Sequence, residues 1–427
     1  MSTDIECDQS WLVEADILPD VWKEHTGMWA APHHHTCSYM AMFPPQLPHY
    51  FIQRFTEPGD IVLDPFCGRG TTPVQAASQS RIGLGNDLND LAYVLTKGKL
   101  ANPTLEEIEI RLDNLEGGFV REEWMRDSGR MEPIPRKIWM IYHPETLRHL
   151  MYLKRELDWK NNDVDAFLTM VLMGAMHGSS SGFLSISMPN TFSMSPKYVK
   201  KYIEKNGLKR PKRDAFKVIR KRCKRFLRKG SLPGNGRTVH GDVRNLSESA
   251  GIEPGSVRLI FSSPPYLRVI KYGMYNWIRL WWLLGEHKSV DRKLDDTHSI
   301  KPYIDFMGEV LMTTMSLLDP HQGMACWVIG DVKKKNVASV NLAKKTWEAL
   351  SNVEALDANG KIAKYRLLGI FEDSIPESSK VTRIWNSNTD KSGKATVVDR
   401  ILIICHEDAN PLPIISNEKI SWDPMQT

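Results

Sequence analysis

Residues 61–72 read IVLDPFCGRGTT, a short apolar run that ends in Asp64 and is followed at once by Gly68 and Gly70. A run of β-branched and apolar residues favours a buried strand. Glycines just beyond a strand allow positive φ and a close approach of the backbone to a ligand. The TTPVQAAS that follows has a helical pattern. This stretch therefore predicts the strand–loop–helix unit that opens a doubly wound α/β sheet.

A second short strand, RIGLGND, ends at Asp87, where a carboxylate can accept both hydroxyls of a ribose. The glycine loop has neither the G-x-G-x-x-G spacing nor a Walker lysine, so dinucleotides and nucleoside triphosphates fit poorly. Asp64 before the glycines disfavours phosphates and suits a cationic amino-acid ligand. S-adenosylmethionine carries an ammonium, a sulfonium and a ribose. It is the ligand that these features predict.

Residues 261–267, FSSPPYL, follow the apolar run VRLIF and form the second candidate site. Consecutive prolines cannot continue a central strand, so the segment is predicted to be a rigid loop at a strand end. A serine hydroxyl and a prolyl carbonyl can each accept one hydrogen from a planar base amine. An aromatic face can stack on the base, which is worth ~1–3 kcal/mol. The predicted catalytic set is Ser263, Pro264, Pro265 and Tyr266.

The α/β pattern is interrupted in the middle of the chain. Strand signals fade between residues 103 and 230, where helical patterns dominate, and return at TVHGDV, residues 238–243. Asp242, at the end of that third strand, is a candidate acceptor for an adenine amine, and a structural role is an equal alternative. We predict a first segment over residues 1–102 with the cofactor loop, a helical basic insertion over 103–230, and a second segment over 231–427 with the catalytic loop.

The net charge of +5 is unevenly placed. From Lys197 to Lys229 the chain has sixteen lysines and arginines against two acids. In the helix predicted there, an apolar stripe formed by Phe216, Ile219, Cys223, Phe226 and Leu227 is expected to dock on the α/β domain, and the other faces are basic. This density of positive charge favours a surface that binds a polyanion over one that is only solvated. The residues predicted to contact phosphates of such a partner are Arg220, Lys221, Lys224, Arg225 and Arg228.

Composition excludes several other classes of protein. No apolar stretch reaches the length needed to span a bilayer, and the first residues, MSTDIECDQSW, are acidic where a secretory leader is basic. The six cysteines are far apart and form no CxxC pair, which indicates neither disulfides nor a zinc site. The run His33–His35 near Cys37 is interpreted as structural or as part of a substrate channel, and not as a metal site. We predict a cytoplasmic protein without a metal.

DPFCGRGTT and SSPPY together resemble the amino-methylating DNA methyltransferases, in which F-x-G-x-G forms the S-adenosylmethionine loop and [SDN]-P-P-[YF] the catalytic loop. The serine form is most similar to the N4-cytosine branch. Residues 42–60, MFPPQLPHYFIQRFTEPGD, resemble the helix that precedes the cofactor loop in this family and contributes to the methionine end of its pocket. Arg69 departs from the family pattern, which usually has serine there. The large insertion also prevents the transfer of any known target-recognition domain.

The resemblance implies a Rossmann-like class I methyltransferase fold, with a mostly parallel doubly wound sheet, a late antiparallel strand and a largely helical insertion. With the loop chemistry above, it implies S-adenosylmethionine-binding residues at Phe43, Pro44, Asp64, Pro65, Phe66, Cys67, Gly68, Gly70, Thr71, Thr72, Asp87 and Asp242.

The expected reaction is methyl transfer to the N4 amine of cytosine in double-stranded DNA, by base flipping and direct transfer. N6 of adenine is the alternative, because the same loop grips either amine. A second alternative, from a different class of function, is a non-catalytic nucleic-acid-binding protein with a vestigial methyltransferase fold. A cognate restriction endonuclease is a further partner that the resemblance suggests.

Overall fold

The computed structural model describes residues 10–25, 29–39, 43–121, 134–190, 193–249, 251–265, 272–285, 299–332, 340–374 and 395–425. Its centre is one eight-stranded sheet. The strands are β1 (Ile61–Asp64), β2 (Ile82–Asp87), β3 (Gly236–His240), β4 (Val257–Ser262), β5 (Met324–Val332), β6 (Glu354–Leu356), β7 (Ile362–Ser374) and β8 (Ala395–His406).

The strand order across the sheet is β3-β2-β1-β4-β5-β8-β7-β6. The first five strands in this order run parallel, and β8 pairs antiparallel with β5. The predicted mostly parallel sheet with a late antiparallel strand is therefore confirmed. The order reverses between β1 and β4, and the carboxyl ends of strands at such a switch point form the ligand crevice of open α/β sheets.

Helices cover both faces of this sheet and fill the stretch between β2 and β3. They are α1 (Ser10–Glu14), α2 (Pro19–Lys23), α3 (Gln46–Phe55), α4 (Thr71–Ala77), α5 (Asp90–Leu100), α6 (Leu105–Arg121), α7 (Arg136–Trp139), α8 (Pro144–Glu156), α9 (Asp163–Ala175), α10 (Pro196–Asn206), α11 (Ala215–Phe226), α12 (Leu246–Ser249), α13 (Tyr272–Tyr275), α14 (Trp277–Leu284), α15 (Ile300–Met315) and α16 (Leu342–Leu350).

Alternate residues of each central strand face opposite cores, as expected for a sheet that is buried on both sides. In β5, Cys326 packs with the aromatic residues of α2 and α3, whereas Trp327 packs with α15 and α16. Both side chains have no exposed surface. The short strands are therefore almost continuously apolar, which is the pattern that made IVLD and VRLIF recognisable as strands.

A third core joins α6, α8, α9 and α11 to α5 and α14. Trp277, Trp281 and Trp282 are buried in it. The close approach of α5 to α9 requires glycine at position 98, where a Cβ would lie 2.4 Å from that of Met170. The helices that follow β2 thus pack directly on the α/β sheet layer through α5.

The basic helix α11 begins where the side chain of Asp214 accepts a hydrogen bond from the backbone amide of Lys217 at 3.1 Å. Its apolar stripe is buried, as predicted. The expectation that this stripe docks on the α/β domain is wrong, because its main contacts are α6, α8, α9 and the short helix Pro32–His35. The apolar residues of α6, α8 and α9, which belong to the same helical stretch of the chain, bury most of the stripe.

No helix in the described ranges is long and apolar enough to cross a membrane.

Candidate active site

The cofactor loop between β1 and α4 depends on two residues with positive φ. Gly68 has φ +52° and Gly70 has φ +81°. A Cβ at Gly70 would lie 2.7 Å from Oγ1 of Thr96 in α5, so only glycine fits there. The same Thr96 hydroxyl donates to the carbonyl of Gly68 at 3.1 Å. The loop is thus held against α5, with its backbone bare of side chains at both glycines.

Asp87 closes β2 beside this loop. Its Oδ2 accepts from the Gly68 amide and its Oδ1 from the Asn89 amide, both at 2.8 Å. Burial raises the pKa of Asp87 from 3.8 to about 6, although these two hydrogen bonds oppose the shift. Each carboxylate oxygen retains a further lone pair. The arrangement therefore suits two ribose hydroxyls, and the residues present fit the predicted cofactor.

Asp64 closes β1 and lies against the end of β4. Its Oδ1 accepts from the Ser262 hydroxyl at 2.5 Å and from the Phe66 amide at 3.1 Å. Burial raises the pKa of Asp64 from 3.8 to about 7. A second connection runs from the Thr72 hydroxyl to the Phe261 carbonyl at 3.0 Å. These bonds join the cofactor loop to the segment that leads into SSPPY.

The candidate catalytic residues follow directly. Ser263 is partly exposed, Pro264 is buried and Pro265 is exposed, so the loop emerges from the sheet at the serine. Tyr266 lies outside the described residues. Phe43 packs edge-on against Phe261, with ring centroids 5.4 Å apart, which brings the segment before α3 to the same strand end.

The other predicted cofactor residues have different surroundings. Cys67 points inward, with its thiol 3.5 Å from the Thr96 hydroxyl, and Thr71 is buried at the start of α4. The Pro65 carbonyl accepts from the Asn86 amide group at 3.1 Å. The Phe66 ring lies 5.7 Å from that of Phe306. Pro44 is exposed at the approach to α3.

Asp242 is already engaged by a neighbouring arginine. Its Oδ1 accepts from the Arg244 amide at 3.0 Å, and its Oδ2 pairs with the Arg244 guanidinium at 2.9 Å. This carboxylate therefore acts as the cap of the short helix Val243–Asn245. Its role toward an adenine amine stays a prediction.

Sequence reasoning missed an aromatic pair above the cofactor loop. The rings of Tyr39 and Tyr272 stack with centroids 5.7 Å apart, and a Cβ at Gly68 would lie 3.5 Å from the Tyr39 ring. The Asn89 side chain donates to the Tyr39 hydroxyl at 3.0 Å. Burial, and after it the charge of Asp87, raises the pKa of both tyrosines. The only feature of the local sequence that could have pointed to this pair was Asn89, a residue type that caps helices, directly before α5.

The basic face of α11 is divided. Lys221, Arg225 and Arg228 are exposed. Lys224 is exposed as well, although its ammonium lies 3.3 Å from a carboxylate oxygen of Glu109. Arg220 is instead held by α6.

Three acids of α6 surround the Arg220 guanidinium. It contacts Glu109, and it lies 2.9 Å from a carboxylate oxygen of Asp113 and 3.2 Å from one of Glu116. These contacts leave it 23% exposed. Arg220 therefore connects two helices.

Parts of the chain match known DNA methylases. Residues 5–97 match the DNA methylase family model, N6_N4_Mtase. Over 163 residues, 38% of this chain, the sequence is 28% identical to Type II methyltransferase M.MjaII of Methanocaldococcus jannaschii. It is 30% identical over 161 residues, 37% of this chain, to Type II methyltransferase M.MthZI of Methanothermobacter thermautotrophicus. The matched regions span 29% and 44% of the lengths of these two relatives.

A third relative, Type II methyltransferase M.XycI of Xanthomonas campestris pv. cyanopsidis, is 36% identical over 90 residues, 21% of this chain and 28% of its own. The solved rRNA methyltransferase aviRa from Streptomyces viridochromogenes overlaps 94% of both chains at 12% identity, with a TM-score of 0.29. That score is too low for any conclusion about this chain.

The sheet and the sequence matches define a Rossmann-like methyltransferase fold whose N-terminal part carries the pattern of the amino-methylating DNA methylases. The methyl donor that this family and fold imply is S-adenosylmethionine.

Proposed function

We propose that this chain is a site-specific DNA methyltransferase that transfers a methyl group from S-adenosylmethionine to the N4 amine of cytosine. The observation that carries the proposal is the hydrogen bond between Ser262 and Asp64, at 2.5 Å. It joins the residue before the catalytic serine to the residue before the cofactor loop. Amine and methyl donor must meet at one point, and these two loops leave adjacent parallel strands at the same edge of the sheet.

In the proposed mechanism the protein orients the amine and keeps its lone pair directed at the donor. S-adenosylmethionine, when bound, supplies an electrophilic methyl group on sulfur. The hydroxyl of Ser263 and the carbonyl of Pro264 each accept one amine hydrogen, and Tyr266 stacks on the base. Pro264 and Pro265 restrict the backbone, so the acceptors need little reorganisation at the transition state. No covalent bond to the protein is needed.

The base must leave the duplex to reach this loop. We propose that the insertion, residues 103–230, faces the DNA and that phosphates are contacted by Lys221, Lys224, Arg225 and Arg228. Lys221, Lys224 and Arg225 lie on the exposed side of α11, opposite its buried stripe, and Arg228 is exposed just after the helix. Arg220 is set apart from this group, because the three acids of α6 already neutralise it. The two flanking segments, 1–102 and 231–427, would form the methyltransferase domain.

Nucleoside mass spectrometry tests the proposal. Duplex DNA is incubated with the protein and S-adenosylmethionine labelled in the methyl group, and the digested nucleosides are separated. Labelled N4-methylcytosine is the expected product. Labelled N6-methyladenine would support the alternative target. Binding of duplex and cofactor without any labelled nucleoside would indicate the non-catalytic alternative.

Two serine variants make the assignment of the catalytic loop specific. Ser263→Ala should lower turnover by at least about tenfold while S-adenosylmethionine binding is retained, because Ser263 acts on the base. Ser256→Ala, just before the same strand, should leave both unchanged. If Ser263→Ala lost cofactor affinity in parallel with turnover, the serine would belong to the cofactor site.

The relatives are Type II methyltransferases, and we propose by analogy that a restriction endonuclease of the same specificity accompanies this protein in the cytoplasm.

A further inference from the structure

Two cations beside the cofactor loop, the buried Lys99 and the partly buried Arg69, have no acidic partner in the part of the chain that the structure describes. Lys99 of α5 has no exposed surface, and its ammonium donates to the carbonyl of Arg69. The guanidinium of Arg69 donates to the Cys37 carbonyl at 3.4 Å, and its Nε is buried without a hydrogen-bond partner. Among the residues that the structure describes, neither side chain forms an ion pair.

The surroundings do not compensate these charges. The imidazoles of His33 and His34 are buried, and the charge of Lys99 adds to burial in lowering the pKa of both. Burial and the neighbouring Arg69 lower the pKa of Lys99. An unpaired buried charge is strongly destabilising, so this arrangement needs an anion to become favourable.

A nearby arginine shows how the fold satisfies a buried guanidinium when the role is structural. Arg81 donates through Nε to the Thr56 hydroxyl at 3.0 Å, through Nη1 to the Gln79 carbonyl at 2.7 Å, and through Nη2 to the Thr56 carbonyl. All three of its nitrogens are used. Arg69 has one long hydrogen bond and an unsatisfied Nε, so its position is not explained by the protein alone.

We propose that Arg69 and Lys99 form an anion site that binds the carboxylate of the methionine end of the cofactor, an inference that rests on the proposed function. Arg69 lies between Gly68 and Gly70 and reaches the segment at Cys37. The two cations thus offer positive charge to the carboxylate at the amino-acid end of the ligand. Serine is usual at position 69 in the family that this loop resembles, so the site is particular to this chain.

A phosphate of duplex DNA fits these cations less well than a small ligand does. Lys99 has no exposed surface, so a rigid duplex backbone cannot approach its ammonium. Arg69 is partly exposed, so a small ligand that lies along the glycine loop can reach its guanidinium, while Lys99 adds its charge from behind the Arg69 carbonyl. The exposed lysines and arginines of α11 offer the duplex an accessible alternative.

The test compares two ligands that differ only in the carboxylate. Calorimetric titrations of the full chain use S-adenosylmethionine and decarboxylated S-adenosylmethionine, with wild type, Arg69→Gln, Arg69→Lys and the control Lys97→Gln on the same helix as Lys99. Wild type and control should prefer the carboxylate form by about 10- to 100-fold, the range for charge-assisted hydrogen bonds. Arg69→Gln should lose most of this preference and bind the decarboxylated form as wild type does. Arg69→Lys should keep part of it.

The outcomes separate this inference from the proposed function. Equal preference in wild type and Arg69→Gln would overturn the carboxylate site, while cofactor binding itself would still support a methyltransferase. An unchanged preference with weakened duplex binding would assign Arg69 to a DNA phosphate and also overturn it. If wild type bound neither ligand, the proposed function would fail and this inference with it. Should Arg69→Gln prove unfolded by circular dichroism, a preference in Arg69→Lys equal to that of wild type would overturn the site, and a reduced one would support it.

Discussion

The hydroxyl of Ser262 and the carboxylate of Asp64 meet at 2.5 Å between the ends of two neighbouring parallel strands. Both side chains are buried, at 0% and 2% exposure. Each residue directly precedes a loop with a proposed chemical role, so the bond sets the spacing between the two loops. The buried carboxyl has a pKa raised to about 7, which makes this contact sensitive to pH.

The first prediction concerns the stability of this contact. Because burial raises the pKa of Asp64 from 3.8 to about 7, the folded chain keeps a proton there that the unfolded chain releases. This group therefore makes the free energy of unfolding fall as pH rises from about 4 to about 7. Asp64→Asn keeps a neutral acceptor and removes that dependence. Urea unfolding across this window should show the variant gaining stability relative to wild type as pH increases.

Asp60→Asn, at a partly buried position directly before the same strand, is the matched control and should follow the wild-type curve. If the free energy of unfolding depended on pH in the same way for wild type and Asp64→Asn, Asp64 would be ionised throughout this window and would keep its ordinary pKa.

The second prediction concerns the ribose site. Asp87→Asn should weaken S-adenosylmethionine binding by about 10- to 100-fold, because charge-assisted hydrogen bonds are lost. The pKa of about 6 adds a pH signature. Wild-type affinity should fall below pH 6 as the carboxylate takes up a proton, and the affinity of the variant should change little. Calorimetry at pH 5 and pH 8 measures both effects.

Asp90→Asn serves as the control for Asp87, since it is a nearby acid at the start of α5 that faces His240, 3.6 Å away. Its cofactor affinity should match wild type. An Asp87→Asn protein that bound the cofactor as tightly as wild type at pH 8 would remove Asp87 from the site.

The third prediction separates the two glycines of the cofactor loop. Gly68→Ala places a Cβ 3.5 Å from the Tyr39 ring and should cost about 1–2 kcal/mol of stability, the strain of a left-handed alanine. Gly70→Ala adds a clash at 2.7 Å with Thr96 and should cost about 1–3 kcal/mol more. Thermal and urea unfolding of the two variants measure the difference. Equal losses would contradict the close packing of the loop on α5.

The fourth prediction concerns DNA binding by α11. Replacing Lys221, Arg225 and Arg228 together by alanine should weaken binding to target and non-target DNA duplexes by the same factor. The slope of log K against log salt should also become shallower by about 2–3, because each lost phosphate contact reduces it by about one. Fluorescence anisotropy at several salt concentrations measures the slope. An unchanged slope would indicate that α11 is a solvated face and that DNA binds elsewhere.

Arg220→Ala provides the internal contrast on the same helix. It should leave the salt slope unchanged and lower the free energy of unfolding by about 1–2 kcal/mol, because its partly exposed ion pairs with α6 are lost. Lys345→Ala and Lys361→Ala, on the opposite part of the sheet, control for the change in net charge. If Arg220→Ala made the salt dependence of DNA binding shallower, Arg220 would contact a DNA phosphate after all.

Local features of the chain were predictable from sequence. The strands around Asp64 and Asp87 are short apolar runs closed by a polar residue, and the helix before the cofactor loop begins after two prolines and ends before Pro58-Gly59. Positive φ at Gly68 and Gly70 follows from residue type and position. These signals arise between residues close in sequence, where strand periodicity and helix boundaries are read directly.

The relationships between distant residues were decided by the tertiary structure. Ser262 meets Asp64 across 198 residues, and Arg220 meets Glu109 across 111. A run of basic residues shows that a helix is charged, but not that three acids on another helix will neutralise one of them. Likewise, nothing next to Arg69 in sequence indicates that Lys99 will be buried against its carbonyl. Such contacts depend on how strands and helices pack. The partner of a polar side chain is therefore set by the tertiary structure and not by its neighbours in sequence.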